Sequence, residues 1–252
     1  HPDSAAPAVR LAGHVLRRAV AGGAVVHASS HATADAVREL LPGAVVHTVH
    51  LAALPLPAPP AGAPIASLAG RPYVLAIGTL ERRKNLPRLV AAFGQVAAQH
   101  DDVQLVLAGG DGDDRRAIDA AVDALGEHAS RVLFTGRVDE PVRSWLLHHA
   151  AVLAYPSLDE GFGFPVLDAM QAGVPVVAST AGSIPEVAGD AALLGLPADI
   201  DALAANLTTA LTDTAERARL VAAGEARWRT FTWQQCATEM AALYTSLAAG
   251  AR

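Results

Sequence analysis

The stretch Asp159-Glu160-Gly161-Phe162-Gly163-Phe164-Pro165-Val166-Leu167-Asp168-Ala169-Met170-Gln171-Ala172-Gly173-Val174-Pro175 decides the fold. Immediately before it, Ala151 to Tyr155 is apolar throughout and has the length of a buried strand. Gly161 and Gly163 permit a tight turn and a close approach of ligand to backbone. Pro165 suits the first turn of a helix, and Gly173 with Pro175 suits its end. Val174 to Ser179 then reads as another buried strand. Strand, glycine loop, helix, strand is the unit of a parallel sheet, and ligands of such sheets sit at the carboxyl ends of the strands. A helix N-terminus at that place offers N–H groups and partial positive charge to a phosphate. The spacing predicts Glu160 on the loop and Asp168 in the helix's first turn, both able to face one crevice. Carboxylate oxygens match vicinal hydroxyls as acceptors. The competing explanation is that Asp168 only complements the helix dipole and Glu160 is solvated.

Outward from this unit the alternation continues. Tyr73–Ile77, Val103–Ala108, Val132–Thr135 and Ala192–Leu196 read as strands. The intervening 85–100, 115–128, 140–149 and 200–211 read as helices, and Ile184–Val187 begins a short one. Helices over about 215–229 and 233–248 finish the chain. Apolar strands alternating with helices predict a doubly covered parallel sheet. Residues 5–54 hold a helical pattern on Val9, Leu11, Ala12, Val15, Leu16 and Ala19. A strand at 24–28, a helix at 32–41 that Ser29 or Ser30 caps, and a strand at 45–49 follow. That is too little to close a sheet. Eight proline and glycine residues between Pro55 and Pro72 give a stiff, extended connection. The expected division is residues 1–56 as an incomplete first domain, 57–72 as linker, 73–232 as the main domain and 233–252 as a helix packing back toward the first.

Composition narrows the function classes. Of 252 residues, 52% are hydrophobic and 17% charged, enough for a large core. The net charge of −6 opposes nucleic-acid binding. One cysteine, Cys236, excludes a disulfide framework. No apolar run reaches the roughly 20 residues of a membrane helix. Among 19 basic residues, Lys84 is the sole lysine, a hint that its position needs a compact ammonium. The chain begins at His1 without a signal peptide, which suggests a processed or partial product.

Lys84 ends a second informative segment, Gly78-Thr79-Leu80-Glu81-Arg82-Arg83-Lys84-Asn85-Leu86, directly after a predicted strand. Three consecutive cations at a strand's carboxyl end suit a pyrophosphate; a solvated basic turn is the alternative. Asn85 is positioned to cap the next helix. Other signals are weaker. Asp111 and Asp113 in the 109–114 glycine turn read as turn chemistry, not metal ligands. The ten histidines show no zinc spacing, and His148 and His149 fit a helix end. Phe162 and Phe164 suit packing under the loop or stacking on a ligand.

In this order and separation, the two segments resemble the nucleotide-sugar-binding domain of retaining GT-B glycosyltransferases of family 4. The family's Glu-x7-Glu motif is Glu160-x7-Asp168 here, with one carboxylate shorter by a methylene. Its Gly-Arg-Leu-x-x-x-Lys motif keeps Gly78 and Lys84, with Thr79 in place of arginine, and Arg83 is available to supply that charge. The form here is similar to a mannosyltransferase-like branch. Phe134-Thr135-Gly136-Arg137-Val138, Gly182-Ser183-Ile184-Pro185-Glu186-Val187 and Phe231-Thr232-Trp233 extend the resemblance over nearly all of 73–248. The segment 25–34 resembles the end of the family's acceptor domain. His1-Pro2 resembles a stretch shortly after that domain's active-site histidine, most of the domain then being absent.

The resemblance implies an α/β, GT-B type, Rossmann-like parallel sheet plus the remnant of a second α/β domain. It implies roles too: Glu160 on the sugar, Asp168 on the ribose, and Arg83 and Lys84 on the leaving diphosphate. Gly78 and Thr79, and backbone from Gly161, Phe162, Gly163 and Phe164, would line the donor site. Val138 would meet the base. The implied reaction moves a hexose, mannose by first expectation, from a nucleoside diphosphate sugar to the hydroxyl of a glycan, lipid-linked or small-molecule acceptor. Configuration is retained, with no metal or other cofactor. The expected protein is cytoplasmic, with no nucleic-acid partner and no transmembrane segment, and peripheral membrane contact would come through the missing domain. Two rival readings are a non-catalytic nucleotide-sugar-binding module and a sugar-nucleotide epimerase, the latter requiring acid–base groups beside the sugar.

Overall fold

A computed structural model describes the backbone of residues 7–250 and the side chains of 13–249. The resemblance drawn from His1-Pro2, and the side chains of Val9, Leu11 and Ala12, lie outside the described residues. The chain opens with α1 (Pro7–Ala21), β1 (Val26–Ala28), α2 (His31–Leu40) and β2 (Val46–Thr48). β1 and β2 pair in parallel as a separate two-stranded sheet, with α2 as their crossover. Ser30 caps α2, its hydroxyl accepting from Thr33 N. In α1, Val15 and Leu16 are exposed.

Then follow β3 (Tyr73–Ile77), α3 (Leu86–Ala97), β4 (Gln104–Ala108), α4 (Arg115–Asp123), β5 (Val132–Gly136), α5 (Glu140–His149), β6 (Val152–Tyr155), α6 (Phe164–Gln171), β7 (Val176–Ser179), α7 (Ile184–Ala188), β8 (Ala192–Gly195), α8 (Ile200–Thr212), α9 (Thr214–Trp228) and α10 (Trp233–Gly250). β3 to β8 form one six-stranded parallel sheet in the order β5-β4-β3-β6-β7-β8. The order reverses between β3 and β6, and that switch point opens a crevice beyond the strands' carboxyl ends.

Period-two alternation sends side chains to two cores. Tyr73, Leu75, Val106, Leu153 and Val176 pack on one face with α5, α6 and α7. Val74, Leu105, Leu107, Val152 and Val177 pack on the other with α3 and α8. The proline-rich stretch lies against the first core: Leu68, in a 3-10 turn over 66–68, is buried there, and Leu56, Ala63 and Ile65 pack beside it. Ser144 Oγ also donates to Pro57 O. Among the described residues, no helix is long and apolar enough to cross a membrane.

Local details differ from the sequence expectations. The helix expected over 115–128 stops at Asp123, and a 3-10 stretch, Gly126–Arg131, replaces its end. Gly126, at φ +59°, is the break, because a left-handed residue cannot continue the helix. Asn85 does precede α3, but its side chain makes no cap bond. Its backbone is left-handed at φ 57°, and its amide instead donates to Pro156 O and Pro197 O at 3.0 and 2.7 Å. Asp168 is the fifth residue of α6, hence in the second turn, where the helix dipole no longer acts strongly. His148 and His149 bond back to carbonyls of their own helix, a structural role.

Candidate active site

Two loops meet at the switch point. The β3–α3 loop carries Gly78 to Lys84, and the β6–α6 loop carries Pro156 to Gly163. Leu158 N donates to Arg83 O at 2.7 Å, and Asn85 ties the first loop to Pro156, so the two are one structural unit. Glycine is a steric requirement at Gly109, which follows β4 beside the first loop, and is favoured at Gly78. A Cβ on Gly109 would lie 1.9 Å from Gly78 O, so glycine is needed where the ends of β3 and β4 converge. Gly78 has φ +133°, and a Cβ there would lie 3.2 Å from Lys84 Cε. Its bareness lets the lysine fold back over the strand end.

Lys84 is the centre of the site. Its side chain is only 8% exposed, and its ammonium lies 2.7 Å from Glu160 Oε1 and 2.9 Å from the Tyr155 hydroxyl. The Arg83 guanidinium reaches the same Glu160 oxygen at 2.7 Å and Glu81 at 2.9 Å. Burial pushes the Glu160 carboxyl up, but the hydrogen bond and charge of Lys84 outweigh it and hold the group below its ordinary range. Burial lowers the Lys84 ammonium, with Glu160 opposing. Burial also lowers Arg83, yet Glu160 and Glu81 carry it above its ordinary value. Sequence reasoning assigned Glu160 to one end of a ligand and Arg83 and Lys84 to the other; the fold gathers all three into one ionised cluster. Thr79 lies exposed beside it.

The backbone of Glu160 and Gly161 is pinned from both sides. Ser183 donates to Glu160 O through both N and Oγ, at 3.0 and 2.9 Å. Gly182 runs under that peptide at φ +55°; a Cβ there would lie 2.6 Å from Glu160 O. From the β1–α2 segment, the hydroxyls of Ser29, Ser30 and Thr33 converge on Gly161 O at 3.1, 2.9 and 3.0 Å. Gly163, left-handed at φ 98°, precedes α6 and supplies no side-chain cap. The first turn of α6 therefore faces the crevice with its polar end undressed by a side chain. Phe162 is buried against Phe231, whereas Phe164 is 40% exposed, so only Phe164 is open to a ligand.

Asp168 is in a different environment. It is buried, and Arg143 of α5 donates to it through Nη2 while holding Glu140 at 2.7 Å through Nη1. Burial raises the Asp168 carboxyl to about 6, Arg143 opposing and Glu140 adding to the rise. Val138 lies two residues beyond β5. It lines an open cleft of about 590 Å³ with Ile65, Phe134, Thr135 and Val142. Protein groups next to the turn at 109–114 engage its carboxylates: Asp111 pairs with Arg115, and Asp113 accepts from Arg82 N.

Sequence reasoning missed Tyr155, Arg143, Ser183 and the hydroxyl triad. Tyr155 ends a strand and Ser183 lies in a quoted motif, so position alone could have flagged both. Arg143 and the triad carry no local signal.

Comparisons with known proteins agree with the fold. The family model for glycosyl transferases group 1 matches residues 71–213, from just before β3 to the end of α8. O-antigen chain mannosyltransferase B of Escherichia coli is 36% identical over 182 residues, 71% of this chain and 47% of that protein. The chain thus spans about half the length of the curated relatives it matches. Sucrose-phosphate synthase of Thermosynechococcus elongatus superposes with a TM-score of 0.76 at 30% identity, covering 90% of this chain and 59% of that one. Alr3699/HepE of Anabaena, solved with UDP and glucose, gives 0.81 at 21% identity, covering 98% of this chain and 69% of that one. With its six-stranded parallel sheet, its switch-point loops and these relatives, the chain belongs to the glycosyl transferases group 1 family and has the α/β architecture of GT-B glycosyltransferases.

Proposed function

We propose that this chain is the donor-binding part of a retaining glycosyltransferase that moves a hexose, mannose as first candidate, from a nucleoside diphosphate to an acceptor hydroxyl. The observation that carries the reading is the Lys84–Glu160–Arg83 cluster at the reversal of strand order. Residues 1–56 are read as the end of an acceptor-binding domain, 57–72 as the connection and 233–252 as a helix returning to that domain.

Each residue then has a task. Glu160, kept ionised by two cations, accepts hydrogen bonds from sugar hydroxyls and is oriented by Ser183 behind it. Arg83 and Lys84 face the diphosphate as its negative charge grows. Arg83 is 48% exposed and pairs with both Glu160 and Glu81, whereas Lys84 is buried. Backbone N–H groups at the start of α6 add to that field. The bond from the anomeric carbon to the diphosphate oxygen breaks as the acceptor oxygen bonds to the same face. The acceptor's proton passes to the departing oxygen. The residues act by positioning and by stabilising developing charge. Asp168 receives the ribose once Arg143 shares or yields it, and the cleft at Val138 receives the base. A carboxylate held ionised by two cations is a poor proton donor, which favours transfer over epimerisation.

Mannose rests on the likeness to the O-antigen mannosyltransferase, and a nucleotide donor on the UDP and glucose of Alr3699/HepE. The test is calorimetry of the chain with UDP, GDP, ADP and their sugars. Selective binding of GDP-mannose supports the full reading. Selective binding of a UDP-hexose keeps the reaction class and changes the sugar. No binding of any nucleotide overturns the site.

A further inference from the structure

Three side chains without a task in the donor reading meet where residues 26–50 touch α7. His31 is the first residue of α2, His50 follows β2 by two residues, and Glu186 lies in α7. One donor atom from each falls within 4.8 Å of the other two. His50 Nε2 is 2.5 Å from Glu186 Oε1. The same carboxylate accepts from His31 N and Ala32 N at 2.9 and 3.2 Å. The His31 and His50 rings meet edge to face with centroids 5.5 Å apart, and Phe231 backs the His50 ring at 5.7 Å. Arg227 donates to the carbonyls of Glu186 and Val187, which fixes the segment carrying the carboxylate.

We propose that His31, His50 and Glu186 form a site for one divalent transition-metal ion of borderline softness, such as zinc, nickel or cobalt. The bound ion braces residues 26–50 to the nucleotide-binding sheet.

Ligand chemistry supports this choice. Two imidazoles and a carboxylate suit such ions and suit magnesium or calcium poorly, since those favour sets made wholly of oxygen. Ligand atoms around zinc at about 2.0–2.1 Å stand roughly 3.3 Å apart in a tetrahedron. The His50–Glu186 contact is shorter than that, and all three atoms lie within 4.8 Å of one another. Binding therefore opens one hydrogen bond and swings one ring inward. The His31 ring can do this, because it is exposed and, among the described residues, makes no side-chain hydrogen bond. The two backbone N–H donors already orient the carboxylate, which is the outer-sphere support a metal ligand needs. Three protein ligands leave the remaining positions to water. The ion would tie together segments far apart in the chain, His50 and Glu186 being separated by 136 residues. A metal clamp differs from a plain His50–Glu186 ion pair in one respect: only the clamp uses His31.

The experiment takes the whole chain freed of metal by a chelator, then titrates zinc and, separately, cobalt. The expected result is one ion per chain, a zinc-dependent rise in Tm and cobalt absorption bands of low-coordinate form. His31→Ala should weaken zinc by more than the roughly 10- to 100-fold that loss of an outer-sphere partner costs. Its Tm without metal and its affinity for UDP and GDP should match the parent. No zinc-dependent rise in the parent overturns the proposal. So does equal zinc binding by parent and His31→Ala, which would place the ion on other histidines. His50→Gln provides a second variant, expected to lose zinc as well, and zinc retained in it also overturns the site.

Discussion

Removing the Lys84 ammonium tests the donor reading most directly. Its nitrogen bonds a buried carboxylate at 2.7 Å and a buried tyrosine hydroxyl at 2.9 Å. Breaking a buried ion pair from one side costs about 3–5 kcal/mol when the partner is orphaned. Here Glu160 keeps Arg83 at 2.7 Å, so it is not orphaned. The expected stability loss is therefore nearer the worth of one charged hydrogen bond, about 1.5–3 kcal/mol. Lys84→Ala also deletes the stem lying beside Gly78; Lys84→Met keeps the stem and removes only the charge. Both should raise the Kd of GDP and UDP by roughly 10- to 150-fold, the same 1.5–3 kcal/mol taken from the diphosphate. The two variants should differ in Tm more than in Kd, because packing affects folding and charge affects the ligand.

A pH signature accompanies this loss. The Glu160 carboxyl is held below its ordinary range, so its pairing stabilises the fold above the unfolded pKa. That contribution is lost as pH falls through the folded value. Without Lys84, the largest opposition to burial is gone and the hydrogen bonds of Ser157 and Tyr155 remain, so the Glu160 pKa climbs and acid unfolding begins at higher pH. Calorimetry with both nucleotides, at low and high salt, reads the binding. If both variants bind GDP and UDP like the parent, with the same salt dependence, the phosphate assignment of Lys84 is wrong.

Three further outcomes follow from the same geometry. Glu160→Gln should keep affinity for the free diphosphate but weaken the nucleotide sugar, while Asp168→Asn should weaken both alike, each loss being about 1–3 kcal/mol by calorimetry; equal losses for both ligands in Glu160→Gln would refute the sugar assignment. Because burial raises Asp168 to about 6, stability contributed by its protonated form is present at low pH and falls as pH rises through that value, whereas nucleotide affinity should rise over the same interval; a pH-independent Kd between 5 and 7, or an unchanged profile in Asp168→Asn, counts against it. Gly182→Ala puts a Cβ 2.6 Å from Glu160 O at a left-handed φ, so the variant should lose about 1–3 kcal/mol of stability and bind nucleotide sugar more weakly; a Tm equal to the parent's would show that the loop is not fixed from below.

What could be read beforehand depended on how far apart in the chain the partners lie. β3 and β6 announce themselves because a strand buried on both faces is apolar at every position, and the loops after them because glycines there mark turns such as the left-handed Gly163. Lys84 and Glu160 were legible as types at the ends of these strands; their contact was not, since it joins residues 76 apart through a register that only the sheet order sets. Asp168 shows the limit more sharply. Its spacing from Glu160 was plain, and the dipole account of it was physically sound for a helix's first turn. The helix starts early enough, at Phe164, to put Asp168 beyond that turn, and a guanidinium 25 residues away takes the place the dipole would have had. Helix starts set by a left-handed glycine fall where the turn, not the apolar pattern, ends. The same reasoning explains why Asn85 fails as a cap: a left-handed backbone turns its amide away from α3 toward two prolines' carbonyls. An error of one or two residues at a boundary is harmless in a core and decisive in a site, because there it changes which partner a charged side chain meets.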